Sequence, residues 1–145
     1  MANKYSENEF LEVTKEILLG KGFAYSEEGD CYLKEFPTTT LRFNLRKSEF
    51  SLRYYVEMYF FLNKFHDKKD IILSNNAEFR VIRFKKDFKL SNPAEKLKES
   101  FTMQLDEFLS KIKDANAYDL LVAYSEKHHL KSSSKEFDYV VSVKR

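Results

Sequence analysis

The chain is poor in the residues that mark several protein classes. Among its 145 residues there is no tryptophan, one cysteine, two prolines and three glycines. A single cysteine excludes an intrachain disulfide and is typical of a reducing compartment, so we expect a cytoplasmic protein. So little glycine and proline leaves no segment with linker composition. Because the length is that of one domain, we expect a single domain over residues 1–145.

Long apolar runs are also absent. The most apolar stretch, residues 54–62, contains Glu57 and is far shorter than a membrane-spanning helix requires. The first residues, Met1 to Tyr5, are followed by acidic ones and lack the apolar centre of a signal peptide. We therefore expect neither membrane insertion nor secretion.

Aromatic residues, in contrast, are abundant. The chain has 14 phenylalanines and 9 tyrosines, with 43% hydrophobic and 33% charged residues. This composition provides enough apolar area to offset the entropy of ordering the chain, so intrinsic disorder is a poor fit.

The N-terminal segment predicts an amphipathic helix. Ser6 and Glu9 have the spacing of a capping box. Gly20 and Gly22 supply the end of the helix. Its apolar stripe, which we assign to core packing, consists of Phe10, Val13, Ile17 and Leu18.

The central segment predicts a long antiparallel hairpin. Apolar and polar side chains alternate over residues 39–47 and 50–62, as in strands with one buried face. The apolar parity, expected to form the core, consists of Leu41, Phe43, Leu45, Phe50, Leu52, Tyr54, Val56, Met58, Phe60 and Leu62. A shorter hairpin, residues 23–26 and 31–36, precedes it around the turn 27–30.

The remaining strands are predicted from weaker patterns. Residues 63–69 are polar and predict a loop. Residues 71–73 and 79–84 predict two further strands. Residues 137–143 alternate again and predict a final strand that returns to the sheet.

Two helices are expected between these strands. Asn92-Pro93 is a typical helix start, and a second helix begins near Ala117. The apolar stripe of the first consists of Leu97, Phe101, Leu105, Phe108 and Ile112. Because the strands come in a run, the fold class is α+β: an antiparallel sheet of five to six strands, an N-terminal helix, and two C-terminal helices before a final strand.

Charge is unevenly distributed along the chain. The net charge is +2, but residues 1–30 hold seven acidic and three basic side chains, a balance of −4. The rest of the chain therefore carries +6. Its densest basic run consists of Arg80, Arg83, Lys85, Lys86 and Lys89. Such a run can attract an anionic partner, but a solvated edge strand has the same pattern, and we favour the strand.

Catalytic and metal-binding motifs are not found. No P-loop, GxGxxG, HExxH or GxSxG occurs. Cys31 lacks CxxC spacing and a basic neighbourhood, which favours a buried thiol. His128 and His129 are adjacent on a predicted helix and point apart, and His66-Asp67 lacks a third partner. We therefore expect no cofactor, no metal and no enzymatic activity; a small enzyme without a recognisable motif remains an alternative.

The polar parity of the central hairpin is the candidate binding surface. Tyrosine and arginine are enriched at interface hot spots, because they bury a large area and keep a polar end. The candidate partner-binding residues are Arg42, Arg46, Arg53, Tyr55, Glu57 and Tyr59. Glu57 is expected to pair across the strands with an arginine. Three structural explanations compete: a covering helix, partial burial indicated by Phe61, and long side chains that lie along a solvated sheet.

This surface admits more than one partner. We expect another protein, and a homodimer through the sheet face is a further alternative. Nucleic acid is the main competitor, since aromatic side chains on a sheet stack bases while arginines hold phosphates. The modest net charge and the acidic first helix count against nucleic acid.

The N-terminal half also carries a resemblance. The first helix runs into Leu18-Leu19-Gly20-Lys21-Gly22-Phe23, followed by a polar turn and Tyr32. Over residues 6–62 this resembles small uncharacterised bacterial α+β proteins, some of which are immunity proteins of polymorphic toxin systems. The resemblance implies a non-catalytic protein of bacterial or phage origin that binds and blocks a partner protein. Inhibitors of nucleases tend to be strongly acidic, and this chain is not, so a nuclease is not the expected target.

Overall fold

The computed structural model describes residues 3–73, 79–80 and 87–111. The helices are α1 (Glu7–Gly20), α2 (Lys68–Leu73) and α3 (Ala94–Lys111). The strands are β1 (Ala24–Ser26), β2 (Cys31–Glu35), β3 (Thr39–Lys47), β4 (Arg53–Leu62), β5 (Phe79–Arg80) and β6 (Asp87–Lys89). The predicted α+β class is confirmed. The second C-terminal helix and the final strand lie outside the described residues.

The six strands of the described residues form one antiparallel sheet. Strands β1 to β4 lie in chain order, and β5 and β6 both pair with the far edge of β4. The β3–β4 register runs from Thr39 opposite Leu62 to Lys47 opposite Tyr54. The long central hairpin predicted from the alternation is therefore confirmed, as is the β1–β2 hairpin.

Helix α1 begins and ends where the sequence predicts. Ser6 Oγ accepts from the Glu9 amide and Glu9 Oε1 accepts from the Ser6 amide, both at 3.2 Å. Gly22 has a φ of 92°, a value that favours glycine after a helix end. The buried row is Phe10, Thr14 and Leu18, whereas Val13 and Ile17 of the predicted stripe are only half-buried. Burial of Thr14 is feasible because its hydroxyl donates to the Phe10 carbonyl at 3.0 Å.

Helices α1 and α3 cover one face of the sheet and form the core with it. Aromatic rings connect the two helices to the sheet: the ring centre of Phe10 lies 5.4 Å from that of Tyr54, and that of Phe101 lies 5.4 Å from Phe88 and 6.0 Å from Phe43. The α3 positions predicted to face inward, Leu97, Phe101, Leu105 and Phe108, are all buried. Ile112 lies outside the described residues. One face of the sheet is thereby covered by α1 and α3, and the opposite face contacts α2 and solvent.

The end of the central hairpin differs from the prediction. Phe50 and Leu52 were expected in the core, yet they are 94% and 58% exposed. The last cross-strand pair is Lys47 with Tyr54, so residues 48–52 connect the strands and have no sheet face to follow. Apolar alternation continued in the sequence beyond the point at which pairing stops.

Residues 71–73 were predicted as a strand and instead end helix α2. Asp67 caps this helix: its Oδ1 accepts from the Asp70 amide at 2.7 Å and its carbonyl accepts from Ile71 at 3.0 Å. This cap and the tertiary contacts of α2 override the β-propensity of two adjacent isoleucines. The strand predicted over 79–84 is described only as β5. No described helix is long and apolar enough to cross a membrane.

Candidate functional site

The face of the sheet opposite α1 and α3, which we call the second face, holds the predicted binding residues. Register places Arg42 opposite Tyr59, Asn44 opposite Glu57 and Arg46 opposite Tyr55. Residues that face each other across an antiparallel pair share one side of the sheet, so these six side chains form a contiguous strip. The strip is divided in two by helix α2.

The half of the second face next to α2 is buried. Arg42 is only 4% exposed. Its guanidinium lies 4.5 Å from the Tyr59 ring centre and 5.1 Å from that of Phe61, and its Nη1 donates to the Ile71 carbonyl at 2.7 Å. Ile71 is in the last turn of α2, where carbonyls lack intrahelical donors. Arg42 therefore anchors α2 and is not available at the surface, contrary to its prediction as a partner-binding residue.

Helix α2 closes a small apolar cluster over this half. Ile71 is buried against Cys31, Leu33 and Phe61. The Cys31 thiol is fully buried, and this burial raises its pKa. The predicted buried thiol is confirmed. An ideal Cβ on Gly29 would lie 2.6 Å from the Ile72 carbonyl oxygen. The β1–β2 turn therefore approaches α2 so closely that there is no room for a side chain at position 29.

His66 contributes to the same anchorage. Its Nδ1 meets the Asp70 carboxylate, and its ring lies edge-on to Phe61 at 5.0 Å. The adjacent Asp67 instead caps α2, so the carboxylate that pairs with His66 is that of Asp70. Among the described residues, no group of three or more His, Cys, Asp or Glu side chains is arranged to hold a metal ion. His128 and His129 lie outside them.

The other half of the second face is open. Arg46 Nε donates to Glu57 Oε1 at 2.5 Å, and the Tyr59 hydroxyl donates to Glu57 Oε2 at 2.5 Å. The Arg46 guanidinium also lies 5.3 Å from the Tyr55 ring centre. The Glu57 side chain is 13% exposed, whereas that of Arg46 is 64% exposed. The predicted cross-strand ion pair is confirmed with Arg46 as the partner, and it leaves most of the Arg46 side chain exposed.

A shallow groove of about 640 Å³ runs along this open half. Its floor includes Asn44 and Glu57, and its walls are the β1–β2 turn at Glu28 and the end of α2 at Leu73, which is 48% exposed. Asn44 Oδ1 is buried and accepts no hydrogen bond from any described residue. The groove thus combines an apolar rim, both signs of charge and an amide.

The outer edge of the second face carries Arg53. Its Nη1 lies 3.3 Å from Asp87 Oδ2, and register places it opposite Lys89. The predicted basic patch does not form one described cluster: Arg80 pairs with Tyr59, six positions from Arg53 and so about 20 Å from Lys89. Arg83, Lys85 and Lys86 lie outside the described residues.

Helix α2 and its role were not predicted, although the sequence contains one signal for the helix. Asp67 precedes Asp70 by three residues, a capping spacing immediately before the apolar residues 71–73. Asn44, in the floor of the groove, was missed because it looked like one more solvated position of the polar parity. Only the fold, which brings the β1–β2 turn next to Asn44, shows that this residue lies in a groove.

Comparison of the chain with protein-family models, with curated proteins and with solved structures finds no significant match. Function therefore has to be argued from the chemistry of the second face.

Proposed function

We propose that this protein is a non-catalytic protein-binding module whose partner is seated on the open half of the second face. One observation carries the proposal: Arg46 is fixed by Glu57 and by the ring of Tyr55, yet most of its side chain faces outward. A pre-organised arginine loses little conformational entropy when it binds, and arginine and tyrosine are the typical anchors of protein interfaces.

The charges around the groove support a protein rather than a nucleic acid. Glu28 lines the groove together with Arg46, and Glu57 lies in its floor. Carboxylates in these positions repel phosphates, whereas a protein surface of mixed charge can complement both signs. The wide separation of Arg80 and Lys89 further weakens the case for one phosphate-binding stripe.

The resemblance of residues 6–62 to bacterial immunity proteins extends the proposal to a role. We propose a cytoplasmic immunity protein or inhibitor of bacterial or phage origin that binds and blocks a partner protein. The mixed charge of the groove favours a partner other than a nuclease, since it offers no extended acidic surface to imitate nucleic acid.

Affinity capture from a lysate of the source organism, with the wild-type protein and matched variants as bait, tests the proposal. We expect the wild-type protein to capture a specific partner. Arg46→Ala and Tyr55→Ala should each raise the dissociation constant for this partner by about 30-fold, the loss of affinity typical of a hot-spot residue. Met103→Ala is the control, because Met103 is 66% exposed on α3, on the other side of the sheet. Circular dichroism checks that each variant is folded.

Two results would contradict the proposal. One is a partner that binds Arg46→Ala and Tyr55→Ala as tightly as wild type. The other is binding of single- or double-stranded probes with an affinity that falls steeply with salt, which would favour the nucleic-acid alternative.

A further inference from the structure

The buried and open halves of the second face are connected by side-chain contacts that we call the Tyr59 network. At its buried end, Arg42 Nη1 donates to the Ile71 carbonyl of α2 at 2.7 Å. The Arg42 guanidinium lies 4.5 Å from the ring centre of Tyr59, whose hydroxyl donates to Glu57 Oε2 at 2.5 Å. At the open end, Glu57 Oε1 accepts from Arg46 Nε at 2.5 Å. Tyr59 therefore lies between the anchor of α2 and the exposed arginine.

The Glu57 carboxylate joins Tyr59 to Arg46. The terminal torsion of a glutamate side chain has a broad distribution, so a single hydrogen bond leaves the plane of the carboxylate free to turn. A second hydrogen bond, to the other oxygen, restricts this rotation, and hydrogen bonds to a charged group are stronger than neutral ones. Because donors prefer to lie near the plane of the oxygen that they bind, the direction in which Glu57 holds Arg46 depends on the Tyr59 hydroxyl.

Tyr59 is itself held from the buried side. Its half-buried ring lies against the guanidinium of Arg42, which is only 4% exposed. Exposure then rises along the network, to 13% for the Glu57 side chain and 64% for that of Arg46. Hydrogen bonds are electrostatically stronger in a protein interior than in water, so the contacts at the buried end are the firmer ones. The orientation of the exposed arginine thus depends on residues that it does not contact.

We infer that Tyr59 is a positioning residue: its hydroxyl fixes the Glu57 carboxylate, and the carboxylate holds Arg46 in the orientation that a partner meets. Tyr59 acts on the partner through Arg46. This role differs from the direct partner contact that the sequence predicts for Tyr59. The ordering of Arg46 requires no partner, whereas the effect of Tyr59 on affinity rests on the proposed function.

Nuclear magnetic resonance of the isotope-labelled, full-length chain tests the ordering without a partner. The Nε–H signal of Arg46, assigned by its loss in Arg46→Lys, reports the motion of the guanidinium. In the wild type we expect an order parameter near about 0.85, the value typical of rigid backbone, and in Tyr59→Phe a value below about 0.6. Tyr59→Phe keeps the ring beside Arg42, so the fold should survive, and the order parameters of the backbone amides check this.

Two further variants make the result specific to the Tyr59 network. Tyr55→Phe is the matched control, since it removes a hydroxyl that is not part of the network and keeps the ring 5.3 Å from the Arg46 guanidinium. It should leave the order parameter of Arg46 at the wild-type value. Glu57→Gln replaces one acceptor oxygen with a donor group, so it should release Arg46 as Tyr59→Phe does.

A double-mutant cycle with the captured partner tests the effect on binding. In the wild-type background we expect Tyr59→Phe to raise the dissociation constant about 5-fold. In the Arg46→Ala background the same change should have no effect, because the side chain that Tyr59 positions is gone. Such non-additivity is expected when one residue acts through another.

Three results overturn the inference. Arg46 keeps its wild-type order in Tyr59→Phe, or Tyr55→Phe loosens it equally. The third is additive loss of affinity for Tyr59→Phe and Arg46→Ala, because Tyr59 would then act on the partner directly. A different pattern separates the inference from the proposed function: a partner that binds Arg46→Ala as tightly as wild type, together with the expected loss of order in Tyr59→Phe, contradicts the proposed function and supports the positioning role.

Discussion

Replacing Arg42 should loosen α2 without unfolding the protein. The side chain makes a charged hydrogen bond to the Ile71 carbonyl at 2.7 Å, of a type that contributes about 1.5–3 kcal/mol. Its contacts with the rings of Tyr59 and Phe61 add about 0.5–1 kcal/mol each. Against this, burial of the guanidinium has a desolvation cost. We expect Arg42→Ala to lower the free energy of unfolding by about 3 kcal/mol, a large share of a typical domain's stability.

A methionine at the same position separates packing from hydrogen bonding. Arg42→Met keeps an unbranched apolar chain under α2, loses the hydrogen bond and removes the buried charge. Replacement of a buried charge by a well-packed apolar side chain is often close to neutral. We therefore expect Arg42→Met to cost about 1 kcal/mol, clearly less than Arg42→Ala, in urea unfolding followed by circular dichroism.

Labelling of the thiol shows whether the loss is local. Cys31 is the only cysteine and is fully buried in the cluster that α2 covers. Because burial raises its pKa, the closed form reacts slowly with a thiol reagent, and labelling reports opening. If the roughly 3 kcal/mol comes from α2, Arg42→Ala should speed labelling by about 100-fold in the absence of denaturant. Labelling at the wild-type rate would refute the assignment of Arg42 as the anchor of α2.

Two further changes test neighbouring contacts. Gly29→Ala places a Cβ 2.6 Å from the Ile72 carbonyl oxygen, so we expect a loss of about 1–3 kcal/mol in urea unfolding as α2 is displaced. Asp30→Asn should lower the pKa of Tyr25, which the hydrogen bond to Asp30 raises to about 12, in a titration followed by tyrosinate absorbance. The pKa of Tyr25 in the folded protein lies above its ordinary value of 10.0. The hydrogen bond therefore contributes its full stability below pH 10, and this contribution is lost as the pH rises towards 12.

Each of these changes has a matched control. An added Cβ on Gly20 meets nothing within 4 Å, so Gly20→Ala should be neutral or slightly stabilising. Equal losses for Gly20→Ala and Gly29→Ala would show that the close approach to α2 is not the cause. Tyr32 also has a pKa of about 12, but mainly through burial, so it should stay high in Asp30→Asn. Asparagine tolerates the positive φ of 46° at Asp30, which avoids added backbone strain. An unchanged Tyr25 titration would contradict the role of its hydrogen bond.

The elements that the sequence predicted well are those that local patterns determine. The capping box at Ser6 and Glu9 lies within one turn of chain, and the alternation of β3 and β4 repeats every second residue. Both patterns follow from the geometry of the element itself. The apolar positions of α3 were correct for the same reason.

Helix α2 could not be predicted in this way. It has six residues, too few for a helix to be stable alone, so contacts with distant parts of the chain must stabilise it. Its main anchor, Arg42, is 29 residues from Ile71, and the close approach at Gly29 comes from yet another hairpin. The prediction that Phe50 lies in the core failed for the opposite reason. The local alternation of apolar and polar residues includes Phe50, although cross-strand pairing ends at Lys47 and Tyr54.

The placement of α2 gives two chemically identical residues different roles. Arg42 and Arg46 lie on the same side of β3, four residues apart, and each guanidinium lies over a tyrosine ring. Arg42 is buried under helix α2, so its replacement should mainly lower the free energy of unfolding. Arg46 is in an exposed ion pair, which typically contributes about 0–1 kcal/mol to stability. Its replacement should therefore mainly weaken binding. Neither residue type nor position on the strand distinguishes them; the distinction depends on a six-residue helix that covers one and ends before the other.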